Sequence, residues 1–154
     1  MMNWEFQAAR VATTLRAESK MEATYKKARI IWIALLGAAV LYCYIPEQLH
    51  TSEHPISNLY VIVIALLVVW CLFGIRYFRR TLVEVSEVAL RVDRNDAKAA
   101  RKWMVGQLGT LACAQAVVLY GLVLRFAGAN RILAYSLYTI GILGLIVLRP
   151  KRIE

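Results

Sequence analysis

The chain has 154 residues, 60% of them hydrophobic, and a formal net charge of +9; soluble globular proteins run at roughly 45–50% apolar. Four stretches, 30–45, 59–75, 104–124 and 132–148, hold most of the excess and contain no Asp, Glu, Lys, Arg or His. That pattern excludes a soluble domain, and it excludes a β-barrel, whose strands alternate apolar and polar residues over about ten positions.

What remains is an all-α polytopic membrane protein with four transmembrane helices and cytoplasmic helical extensions. The stretches hold 16 to 21 residues each. At about 1.5 Å per residue they reach roughly 24–32 Å, against a hydrocarbon core of about 30 Å. Lipid cannot satisfy a free backbone amide, so helices are the only spanning form left. The chain then reads as one four-helix membrane domain over residues 1–154.

Residues 1–29 precede the first span as a cytoplasmic amphipathic helix. Trp4, Ala8, Val11 and Leu15 share one face of it, before charges take over from Glu18 to Lys27; such a helix lies in the membrane interface or packs on another helix. The first span covers 30–45. It is followed by three more apolar runs and has no small-residue exit, so a cleaved signal peptide is not expected.

The connection after it contains His50-Thr51-Ser52-Glu53-His54. An H-x-x-E-H string is the form used by inverted zinc proteases, and two imidazoles four apart on a helix can reach one Zn²⁺. Glu47, His50 and His54 are the candidate ligands. The loop is short and lacks further ligands or a substrate cleft, so a solvated loop is the expectation, with no metal, no cofactor and no enzyme.

The second span covers 59–75, and residues 76–103 are expected to form a cytoplasmic helical extension: the second helix continues to the turn at Asp93–Asp96, and the next helix runs from Ala97 into the third span. No Gly or Pro intervenes between Arg76 and the turn-like Asp93-Arg94-Asn95-Asp96. Phe78, Leu82, Val85, Ala89 and Val92 recur at alternating four and three, a heptad seam that needs a partner, flanked by Arg80–Glu84 and Glu87–Arg91 at i, i+4. Asn95 or Asp96 is placed to cap the next helix.

The third span, 104–124, is the least lipid-like. Gly106, Gly109, Ala112 and Ala116 form a small-residue stripe that lets another helix approach, and Gln115, near mid-bilayer, is expected to hydrogen-bond across that contact. The run Leu111 to Leu124, LACAQAVVLYGLVL, resembles the ion-carrying helix of rotary ATPase c subunits (proteolipids). Gln115 falls where that family carries its Glu. An amide cannot take up and release a proton, so the resemblance implies a helical-hairpin membrane fold rather than proton transport. The fourth span covers 132–148.

Charge sets the orientation. Six Lys/Arg lie up to Arg29, eight from Arg76 to Lys102 and three after Leu148, which is seventeen of nineteen on one side. By the positive-inside rule that side is the cytoplasm of an inner (plasma) membrane of prokaryotic type, giving N-in and C-in. The same charges draw anionic inner-leaflet lipids, and they argue for the bilayer rather than nucleic acid as the partner. Trp32, Trp70, Tyr77, Phe78 and Trp103 mark the inner boundary as an aromatic belt. Cys43, Cys71 and Cys113 sit in three spans as buried small residues rather than a redox pair. The leading expectation is a non-enzymatic accessory or assembly subunit of a larger membrane complex, or a homo-oligomer. Its rivals are an ion or small-solute channel or transporter built around the third span, and a metalloenzyme using the external Glu/His loop.

Overall fold

A computed structural model describes residues 4–49, 57–93 and 96–150, with side chains from residue 22 onward. Every element among the described residues is helical: α1 (Trp4–Gln48), α2 (Asn58–Phe78), a π-helical turn (Arg79–Glu84), α3 (Val85–Val92), α4 (Ala97–Phe126) and α5 (Arg131–Val147). Three helical segments are long and apolar enough to cross a membrane, within Glu22–Gln48, Asn58–Val92 and Ala97–Phe126, and α5 is a shorter apolar helix of 17 residues.

Among the described residues, no helix break separates 4–29 from the apolar stretch beginning at Ile30. Instead α1 runs unbroken for 45 residues, about 68 Å at 1.5 Å per residue. Lys, Glu and Ala are good helix formers, and no Gly or Pro precedes Gly37. A helix continuous with the span cannot also lie flat in the interface as a separate element. Pro46 falls in its last turn, where loss of one intrahelical bond matters least.

The second helical rod is continuous from Asn58 to Val92, but its phase changes at the π-helical turn. A π turn accommodates one extra residue. The inward line therefore runs through Val83, Ser86 and Leu90, one position later than the expected Leu82, Val85 and Ala89. Val85 and Val92 point away, 62% and 87% exposed, while Phe78, Leu82 and Ala89 are half-buried. The five residues of the expected seam thus do not share one face. The ion pairing shifts with the backbone: Glu84 meets Arg79, five residues back, at 3.9 Å rather than Arg80.

Asp96 ends the turn and starts α4. Its carboxylate accepts hydrogen bonds from the Lys98 and Ala99 amides at 2.8 and 3.0 Å, which satisfies orphan donors and places negative charge at the positive end of the helix. The α4 helix is the centre of the bundle and packs against α1, α2, the π turn, α3 and α5. Half of its apolar window is buried, against 11% for α1 and 17% for the second rod.

Small residues let the backbones close in. A β-carbon on Gly106 would stand 2.7 Å from Leu82 Cβ, one on Gly109 3.0 Å from the Phe78 ring, and one on Gly121 2.9 Å from Tyr138. The expected stripe does not continue beyond the first two of these, since Ala112 is exposed and Ala116 only half-buried. Gly106 and Gly109 instead share the helix face turned toward the π turn with buried Gln107 and Thr110 as neighbours.

At the far end of α4 the chain reverses through Gly128, which has φ 87°. The Gly128 amide donates to the Arg125 carbonyl and the Ala129 amide to the Leu124 carbonyl, at 3.2 and 2.9 Å. This is the Schellman arrangement, and it needs a left-handed residue at that position. Asn130 then caps α5 by accepting from the Ile132 amide at 2.9 Å.

Candidate functional site: the basic end of the bundle

The last turn of any helix leaves carbonyls without intrahelical partners. In α5 other helices supply donors. Trp32 Nε1 donates to the Leu145 carbonyl at 2.7 Å, Gln107 Nε2 to the Leu148 carbonyl at 2.8 Å, and the Tyr25 hydroxyl to the Pro150 carbonyl at 3.2 Å. These bonds fix the segment after α5 between α1 and α4. Arg149 is thereby set over the Trp32 ring, with its guanidinium carbon 5.6 Å from the ring centre.

Beside this segment lies a cavity of about 290 Å³. The π turn gives it Arg79, Val83 and Glu84, and α3 gives Glu87 and Arg91. Its remaining walls are Gln107 and Thr110 of α4, with Val147, Leu148 and Arg149 at the end of α5. Three arginines and two glutamates therefore line one small space. Glu84 makes a long contact to Arg79, 3.9 Å, and Glu87 accepts from Trp103 Nε1 at 3.4 Å. Trp103 itself is buried, packed with Ala28, Val83, Leu90 and Ala99.

The expected helix-packing residue Gln115 is buried, at 7% exposure, but neither amide atom has a hydrogen-bond partner. The bond expected across the helix contact is not made. On the same helix, Leu111, Ala114 and Val118 belong to an apolar cluster with Ala39, Tyr138 and Leu145.

The opposite end of the bundle holds a charged pair. Arg125 is 2% exposed, and its Nε lies 3.4 Å from Glu47 Oε1. Arg125 Nη1 and the buried Tyr138 hydroxyl are without partners in the described structure. Glu47, a candidate metal ligand in the sequence, is thus the counter-ion of a buried arginine, while His50 and His54 lie outside the described residues. Among the described residues no three His, Cys, Asp or Glu side chains are grouped to hold a metal.

No family model, curated protein or solved structure matches the chain. Its function is therefore read from its own geometry. Sequence spacing had picked out Gly106 and Gly109, which do meet the second rod. It passed over Arg79 and Arg149 as cavity residues and Arg125 as a buried charge, because each acquires its role from a helix distant along the chain.

Proposed function

We propose that the chain is a non-enzymatic four-span membrane protein with both termini on the cytoplasmic side of an inner (plasma) membrane of prokaryotic type. On this reading it serves as an accessory or assembly subunit, or self-associates, through the helical extension beyond the bilayer. One observation carries the reading. In α3, Ser86 and Leu90 are buried against the bundle, while Val85, Val88 and Val92 on the other side are 62%, 65% and 87% exposed. On this reading the stripe, which follows Arg76 and the apolar stretch 59–75, stands outside the lipid tails. Three valines at i, i+3 and i+7 form one apolar face.

A four-span arrangement asks α5 to cross as well. Its 17 residues give about 26 Å, short of the hydrocarbon core by only a few Å. Arg131 and Arg149 flank it, and snorkelling of such side chains accommodates that mismatch. The likeness of residues 111–124 to c subunits agrees with a hairpin of membrane helices, and Gln115 removes the proton-carrying group from that comparison.

The test is the size of the purified protein in mild detergent, before and after Val85→Asp with Val92→Asp. The reading expects an assembly larger than the 17.4 kDa chain that the double variant reduces, with membrane insertion unchanged. A monomer in both cases, with no partner copurifying with the unsubstituted chain, contradicts it. A second reading, a solute pathway along α4, is favoured by the unpaired amide of Gln115 alone. It requires ion flux in liposomes that Gln115→Leu abolishes.

A further inference from the structure

We propose that the cavity beside the π turn binds a phosphate ester that carries an ammonium group, the chemistry of an ethanolamine-type phospholipid headgroup. The inference rests on the membrane-spanning reading above, but not on the valine face or on any assembly.

The lining has both charges such a group needs. Arg79, Arg91 and Arg149 converge on the cavity from the π turn, α3 and the end of α5. Guanidinium is the side chain best matched to phosphate oxygens, because its planar fork donates two parallel hydrogen bonds. Arg149 is held in place by its stacking on Trp32. A purely anionic ligand would also meet Glu84 and Glu87. An adjoining ammonium converts that repulsion into attraction, because a carboxylate has about four lone-pair positions and the contacts to Arg79 and Trp103 are long, 3.9 and 3.4 Å. Exposed ion pairs of the Glu84–Arg79 kind are worth about 0–1 kcal/mol, so Glu84 can exchange partners.

Depth agrees with the chemistry. Two indoles anchor the walls, Trp32 through Leu145 and Arg149, and Trp103 through Glu87. Tryptophan concentrates where hydrocarbon meets headgroups. Val83, Val147 and Leu148 form the apolar part of the wall, suited to the glycerol and first methylenes of a lipid. The cavity volume of about 290 Å³ is at the small end of ligand sites, which start near 300 Å³. It holds a headgroup and not a second molecule of similar size.

The test is native mass spectrometry of the full chain with added phosphatidylethanolamine, phosphatidylglycerol or phosphatidylcholine. One tightly retained phosphatidylethanolamine is expected. Phosphatidylcholine, whose ammonium has no N–H to donate, should bind more weakly. Arg91→Gln with Arg149→Gln should weaken retention at least about tenfold, the loss of one charge-assisted hydrogen bond, whereas Arg80→Gln, outside the lining, should not. Glu84→Gln with Glu87→Gln should reverse the preference toward phosphatidylglycerol, a readout that a merely unfolded variant cannot produce. Soluble phosphoethanolamine supplies the second arm: displacement of the lipid at equal concentration assigns the site to a soluble ester of the same chemistry. Equal retention of all three lipids, unchanged by the arginine variants, overturns the proposal.

Discussion

Two glycine-to-alanine substitutions should have opposite signs, and the contrast measures how closely α4 and the second rod approach. Alanine in place of glycine within a helix gains roughly 0.5–1 kcal/mol. At Gly37 nothing lies within 4 Å of the added methyl, so Gly37→Ala should raise stability by about that amount. At Gly106 the methyl would stand 2.7 Å from Leu82 Cβ, 3.0 Å from Val83 Cγ2 and 3.2 Å from the Val83 amide nitrogen. Carbon pairs prefer about 3.5–4.0 Å, so the two helices must separate by roughly 1 Å. Leu82 Cβ and the Val83 nitrogen belong to the backbone framework and cannot rotate aside. Overpacking of this kind costs about 1–3 kcal/mol, which leaves Gly106→Ala net destabilised by up to about 2.5 kcal/mol after the propensity gain of about 0.5–1 kcal/mol. Reversible unfolding in mixed micelles, followed by circular dichroism, reads both variants. If Gly106→Ala is as stable as Gly37→Ala, the helices do not touch at the π turn and the cavity beside it has a different shape.

The remaining expectations concern buried polar groups and the exposed face. Gln115→Leu should leave stability unchanged or raise it by about 1 kcal/mol, since a buried polar group without a partner costs about 1–3 kcal/mol; a fall in melting temperature would show that the amide has a partner after all. Glu47→Gln should lower the melting temperature more than Glu47→Gln combined with Arg125→Met, because the single change strands a buried guanidinium and the double change removes it. Val85→Asp with Val92→Asp should shift the melting temperature little, both side chains being exposed, while reducing assembly size on a native column.

Residues whose environment is set by near neighbours were legible. The polar run Asp93 to Asp96 marks the end of a helix and the cap of the next, and charge-free stretches of sufficient length mark the membrane-crossing candidates, because both signals are local. The π turn had no such signal. Arg79 to Glu84 contains no Gly or Pro, and the heptad arithmetic that selected Leu82, Val85 and Ala89 assumes 3.5–3.6 residues per turn throughout. A single added residue moves every later position off the seam. Ala112 is exposed in the single chain, because small size permits close approach but does not say where the neighbouring helix is. Arg125 and Glu47 are 78 positions apart, and the cavity draws its walls from the π turn, α3, α4 and the end of α5. Such sites exist only after helices have packed, so no spacing rule within one helix reports them.

As proposed, the bundle crosses the bilayer four times with its basic end in the cytoplasm. Single cysteines at Ser57, Asp93, Asn130 and Lys151, in a chain lacking Cys43, Cys71 and Cys113, test that directly with a membrane-impermeant maleimide on intact cells. Ser57 and Asn130 should label from outside, and Asp93 and Lys151 only after the membrane is permeabilised. Labelling of Lys151 on the same side as Asn130 would mean that α5 does not cross, and labelling of Asp93 from outside would reverse the orientation drawn from charge.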